Sequence, residues 1–358
     1  MRTLTCTLTL FTATAFLSTG AMAQSAETAQ SAPPVQDAHS AHSAPSVTVA
    51  ATRDPVDKSY RKMLAGMDIF ERLRPALAPQ ATLRFQLLPR LPSTQLDGIT
   101  LRVAGDTVSL PVPVAADHSF TLERNPQAAR EDAALIASRK TSTLTWRAQV
   151  RSPGVPEGMR RLGDLRLECM VGVEAGLLSN NAQMFAWLGD LFTNPARVCN
   201  QADGNYLFFA ERPVYAVTLR DGTRRITLPF SALYAGGTQT PATLPYCDCQ
   251  VLLDRSYYAP VWDRSWSDDT LLSFQDMDSP PDATDTANTT IAADHRSTAQ
   301  MQARLGAAKV VSFDSGYQMW RYTYPAQQSG AAPAEFIILF GPDGLARKAR
   351  LQEPVTTP

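Results

Sequence analysis

Along the first third of the folded chain, the apolar positions change period from helix to strand. In "SYRKMLAGMDIFERLRPAL" (59–77), Met63, Met67, Phe70 and Leu73 recur at helical spacing, and Pro75 and Pro79 close the run. In "ATLRFQLLP", Leu83, Phe85 and Leu87 alternate, as in a half-buried strand. "GITLRVAGDTVSLPVPVAADHSFTLER" predicts further short strands near 99–103, 107–114 and 118–123, separated by Gly105-Asp106 and Ala116-Asp117. Asn125 as N-cap and Pro126 as first helical residue then open an alanine-rich helix expected to reach about Ser138. "STLTWRAQV" (142–150) returns to alternation, so 58–175 reads as an antiparallel, sandwich-like β domain.

"SNNAQMFAWLGDLFTNP" (179–195) carries the clearest helical stripe, with Met184, Leu188 and Leu191 widened by Phe185 and Phe192. Its opposite face has only Asp190, not the basic surface of a membrane-lying helix, so the stripe is read as core. "VYAVTL" and "RRITLPF" flank Asp221-Gly222 and predict a hairpin. An aromatic stretch then adds a strand or two, giving a β-rich domain over 176–275. The polar run 276–294 is a linker. Residues 295–358 read as a helix (297–306) followed by antiparallel strands at "AKVVSF", "YQMWRYTYP" and a hairpin around Pro342-Asp343-Gly344, a small α+β module. The fold class is thus mainly β with short helices.

The segment before residue 58 has a different character. "MRTLTCTLTLFTATAFLSTGAMA" has a basic start, an apolar and threonine-rich middle, and Ala21-Met22-Ala23, the pattern of a secretory signal cut after Ala23. It predicts a periplasmic or secreted protein. Residues 24–57, rich in Ala, Ser, Pro and Gln, read as a disordered leader, in which His39 and His42 lack the frame a metal site needs. No stretch approaches about 18 apolar residues, so no membrane-spanning helix is expected. With 33 basic and 34 acidic side chains and a formal net charge of −1, the chain has no broad electrostatic footprint for nucleic acid.

Four cysteines follow the signal. An exported chain favours disulfides, and Cys247 and Cys249, two apart in a strand, would stand about 6.5–7 Å apart, at the limit for a bridge. The expected pattern joins Cys169 and Cys199 each to one cysteine of the "CDC" pair. Arg160, Arg161 and Arg166 form a basic cluster expected to pair with Asp164 and Glu168 on the surface. His118 reads as a surface residue. Asp263, Asp268, Asp269, Asp276 and Asp278 make an acidic stretch read as a solvated loop, without the spacing of a calcium loop. No catalytic, metal or cofactor constellation emerges from the sequence.

Leu305-Gly306 at the end of a helix, Trp320 and Tyr322 in a W-x-Y strand, and Phe340 with Asp343-Gly344 before a last strand together resemble the SmpA/OmlA (BamE-like) family over 295–355. Ala307-Ala308 stand where that family commonly has proline. The resemblance implies an α+β module acting by contact with an envelope protein or a lipid headgroup, and not by catalysis. The candidate contact residues are Tyr317, Arg321, Trp320 and Tyr322; Trp320 and its neighbours are expected to pack under the helix, which leaves the face of Tyr317 and Arg321 as the fairer candidate. The expected function is that of an exported, non-enzymatic envelope protein that binds partners. Three alternatives compete with it: a hydrolase using the 263–278 carboxylates, a thiol oxidoreductase using Cys247 and Cys249, or a carbohydrate-binding β-sandwich presenting Tyr257, Trp262 or Trp266.

Overall fold

In the computed structural model the described residues are 55–140, 142–177, 194–202, 206–237, 252–280, 296–325 and 334–352. The stripe helix expected at 179–195, its last two residues apart, and both cysteines of the "CDC" pair lie outside them, as do the signal segment and the leader up to residue 54. Residues 55–57, read as the end of the disordered leader, are instead the start of a strand.

Strand β1 (Pro55–Ser59) runs into helix α1 (Tyr60–Leu77), where the Ser59 hydroxyl accepts from the Lys62 amide. Pro75 sits inside the last turn and does not cut the helix short. Two antiparallel sheets follow. Strands β2 (Thr82–Pro89), β5 (Ser119–Phe120) and β7 (Leu144–Arg151) form one in the order β5-β2-β7. Strands β3 (Leu101–Ala104), β4 (Ser109–Val112) and β6 (Ala134–Lys140) join β1 in the other, ordered β1-β6-β3-β4. Phe85, Phe120, Trp146 and Val150 from the first sheet and Leu101, Val103 and Leu135 from the second share one core with α1.

The helix opened by Asn125, α2 (Pro126–Arg130), ends far short of the expected Ser138. Residues 134–140 are instead β6, paired on both sides, and Leu135 and Ala137 alternate into the core. Here ladder partners outweigh the helix propensity of an alanine-rich run.

After β8 (Met159–Arg161) comes α3 (Leu162–Glu174), a helix the hydrophobic pattern did not announce. It is buried on nearly every side. Leu167, Val171 and Ala175 join the first core, while Leu162, Leu165, Cys169 and Val173 belong to a second. The buried charges of α3, Asp164, Arg166 and Glu168, interleave with the apolar positions, so there is no amphipathic stripe to read. Helix α1 lies close against it at Gly66, where an added Cβ would stand 2.8 Å from the Ala175 Cβ.

The second core gathers α4 (Pro195–Asn200), β9 (Phe208–Phe209), the hairpin of β10 (Val214–Asp221) and β11 (Arg224–Thr227), β12 (Ser256–Tyr257) and β13 (Leu271–Asp276). Asp221 pairs with Arg224, so Gly222 and Thr223 form the predicted turn. A third sheet is ordered β11-β10-β13-β8.

The C-terminal stretch forms α5 (Thr298–Leu305) and a meander of β14 (Lys309–Ser312), β15 (Gln318–Tyr324), β16 (Ala334–Phe340) and β17 (Ala346–Gln352). Ser297 and Gln300 close a reciprocal capping box at the start of α5. Met301 of α5 packs on Trp320, Tyr322, Ile338 and Phe340, and the opposite sheet face sends Val311, Met319, Ile337 and Leu339 into the second core. Both faces are covered, which is why "FIILF" is apolar without alternation.

Candidate functional site

The described residues enclose a cavity of about 610 Å3 between the outer face of the β2/β7 sheet and the segment 206–211 that crosses it. Pairing of Gln86 with Arg147 and of Leu88 with Thr145 puts these side chains on the face opposite Phe85, Trp146 and Val150. That outer face of β7 carries Arg147, Gln149 and Arg151 into the cavity, and Tyr206, Phe208, Phe209 and Leu252 close the far side.

The base of the cavity is built by α3. Strand β7 has β2 on one side only, and its other edge is satisfied by carboxylates of the helix. Glu168 Oε2 accepts from the Val150 amide at 2.9 Å, and Asp164 Oδ2 accepts from the Ser152 amide at 2.8 Å. The fit is geometric: residues four apart on a helix rise about 6 Å, and residues two apart on a strand about 6.8 Å. Arg160 completes the arrangement, donating to Glu168 Oε2 at 2.7 Å and to the Val150 carbonyl at 3.1 Å. Burial is the largest influence and works against the Arg160 charge, but Glu168, Tyr257 and Asp164 together outweigh it, and the net pKa shift is upward. Arg160 and Arg161 pair with Glu168 and Asp164 as expected, but the surface placement of the Arg160, Arg161 and Arg166 cluster is corrected. Arg160–Glu168 is a buried pair, Asp164 is 1% exposed, and Arg166 is buried against Asp268 and the carbonyls of Val261, Asp263 and Trp266.

Around this base stand three more guanidinium groups. Arg147 lies 5.7 Å from the Tyr206 ring centroid and 5.4 Å from that of Phe209. Arg151 donates to Glu211 at 2.6 Å, and burial, then the Arg160 charge, lowers its pKa. Arg255 donates to the Glu211 carbonyl at 2.7 Å. Tyr206 can lie this deep because Gly172 of α3 has no Cβ, and an added one would meet the tyrosine hydroxyl. Burial pushes the Tyr206 pKa up to about 12, against the pull of Arg147. At the rim, the Asp117 carboxylate accepts from the Ser119 amide and hydroxyl, and His118 lies 2.9 Å from exposed Asp97.

Searches against family models, curated proteins and solved structures found no match to this chain. The cavity, then, is read from its own chemistry. It is an aromatic and aliphatic hollow with four arginines, whose carboxylates Glu168, Glu211 and Asp117 already accept hydrogen bonds from the protein.

The residues singled out from the sequence lie elsewhere. Trp320 and Tyr322 are buried beneath α5, with the Tyr322 hydroxyl near the Gly306 carbonyl. Arg321 pairs with Glu335 at 3.1 Å and lies 5.1 Å from the Phe230 ring, and Tyr317 packs on the second core. Trp320 and Tyr322 thus pack under the helix as expected, and Arg321 is engaged within the chain. Cys169 is bonded to Cys199, not to the "CDC" pair; α3 and α4 bring these two together directly. The acidic stretch supplies counter-ions, Asp268 to Arg166, Asp269 to Arg161, and Asp276 and Asp278 to Arg212. Of the sugar-stacking candidates, Tyr257 and Trp266 are buried, and Trp262 is 39% exposed. Among the described residues no group of three or more His, Cys, Asp or Glu side chains is arranged to hold a metal ion.

Proposed function

We propose that this chain is an exported envelope protein that works by binding a partner or ligand, with the hollow beside β7 as its binding site, and that it is not an enzyme. The observation that carries the reading is the make-up of that hollow. Its volume is in the range of about 300–1,000 Å3 typical of small-ligand sites, and its walls combine rings with fixed polar groups. A binding role suits it better than acid–base catalysis because its carboxylates are engaged as acceptors. Glu168 holds Arg160 and the Val150 amide, and Glu211 holds Arg151. The signal-like N-terminus and the Cys169–Cys199 bond support export to an oxidising compartment. The resemblance of the C-terminal module to the SmpA/OmlA family supports an envelope setting.

The test is photo-crosslinking in living cells. A photoreactive residue replaces Gln149, which lines the hollow, in the full-length chain. A reproducible adduct with an envelope component, absent when the probe is moved to exposed Thr82, is the expected result. An unmodified chain at both positions, or a turnover activity that survives loss of the hollow, would overturn the proposal.

A further inference from the structure

Resting on the binding reading above, we infer that the hollow takes an amphipathic organic anion, its carboxylate or phosphate head among the arginines and its apolar body against Leu88, Leu207, Phe209 and Leu252. The charge census at the hollow favours an anion. Arg147, Arg151, Arg160 and Arg255 line it, against Glu168, Glu211 and Asp117. Each of those carboxylates is committed to donors on the protein, so a cationic head would find no carboxylate without such a commitment.

Donor capacity, by contrast, is left over. The Nε–H groups of Arg160 and Arg255 are buried and have no acceptor among the described residues. Arg160 is 6% exposed, yet it lines the hollow. Among the described residues Arg255 donates to the Glu211 backbone carbonyl, with a guanidinium that carries five N–H donors in all. A buried donor without an acceptor is destabilising, and an oxyanion that reaches either guanidinium would offset that. Arginine forks suit planar or tetrahedral oxyanions, which is why the head is assigned as carboxylate or phosphate.

The body of the ligand is assigned from the opposite wall. Leu207 and Leu252 form a small apolar cluster of their own, with Leu88 and Phe209 packed against it. This cluster lines the hollow and belongs to neither main core, so it gives the wall an apolar stretch beside the arginines. An inorganic anion would leave that wall unused.

The experiment is isothermal titration calorimetry of the full chain with laurate and with dodecyl phosphate below their micelle thresholds, with lauramide as the neutral analogue and inorganic phosphate as the bare head. Saturable binding of laurate or dodecyl phosphate is expected, weakened about tenfold or more by Arg255→Met, since a charge-assisted hydrogen bond contributes about 1.5–3 kcal/mol. Tighter binding of one anion over the other would identify the head as carboxylate or phosphate. Arg255 is partly exposed, so Arg255→Met is expected to fold, and an unchanged circular dichroism spectrum confirms that loss of binding is local. Equal binding of laurate and lauramide, unaffected by Arg255→Met, would overturn the anion assignment and leave the binding reading intact. Binding of inorganic phosphate as tight as dodecyl phosphate would overturn the apolar body. No heat from any probe, together with no crosslink at Gln149, would overturn both readings.

Discussion

Glu168 is where the architecture of the hollow is most open to test. It neutralises Arg160 and supplies the acceptor that β7 lacks at Val150. Glu168→Gln keeps the shape and one carbonyl oxygen, so the Val150 amide can stay bonded, but it leaves Arg160 as a buried cation. Removing one partner of a buried pair costs about 3–5 kcal/mol, and because Arg160 borders the hollow we expect the lower end, about 3 kcal/mol. Glu168→Ala also strands the Val150 amide and should cost about 1–3 kcal/mol more. Arg160→Met with Glu168→Gln removes the uncompensated charge and should recover most of the loss. Urea unfolding followed by circular dichroism gives the values, provided the m-value stays constant across the series. A loss under about 1 kcal/mol for Glu168→Gln, or a double variant whose loss is the sum of the single ones, would refute the picture of a desolvated pair holding the strand edge.

Other consequences can be measured on the same chain. Gly66→Ala would ordinarily stabilise a helix by about 1 kcal/mol, but here the new Cβ meets Ala175 Cβ at 2.8 Å and the Val171 carbonyl at 3.1 Å, so a net loss of about 1–2 kcal/mol is expected. Ala175→Gly in the same chain should relieve part of it, and an unchanged melting temperature for Gly66→Ala would show that the helices can separate. Replacing Cys169 and Cys199 by alanine opens a loop with a sequence separation of 30 and should cost about 3–4 kcal/mol in thermal or urea unfolding. Burial pushes the Lys348 amine, which donates to the Asp276 carbonyl and to Ser279 Oγ, down from 10.5 to about 8. The folded chain loses this proton near pH 8 and the unfolded chain only near 10.5. Stability should therefore rise with pH across that window by at most about 3 kcal/mol, and Lys348→Met should flatten the rise in pH-dependent urea titrations.

Much of the fold was legible because its signals are local. The helix at 297–306, the Asp221-Gly222 hairpin and the alternation of Leu83, Phe85 and Leu87 each depend on neighbours a few positions apart. The misses have a common cause. Helix α3 is apolar on faces that serve two cores at once, so no period betrays it. Strand β6 is specified by β1 and β3, more than 30 residues away in sequence, and not by its own alanines. The hollow was illegible for the same reason. Arg147, Gln149 and Arg151 alternate with Trp146, Ala148 and Val150 as a solvated strand face would. Only the crossing of 206–211 over that face turns a polar surface into a lined cavity.

The C-terminal module shows how a local pattern can mark architecture and say little of chemistry. Trp320, Tyr322 and Phe340, three of the positions on which the SmpA/OmlA resemblance rests, are packed under α5. Gly306 ends that helix and accepts the Tyr322 hydroxyl bond, and Asp343 and Gly344 make the turn between β16 and β17. Such residues fix a helix on a meander. The other sheet face, where a contact surface was expected, is spent on the second core, with Arg321 on Phe230, and Lys348 and Arg350 over Tyr215. In this chain the module is therefore a wall of the body, and the hollow lies elsewhere, where α3, β7 and Arg255 meet.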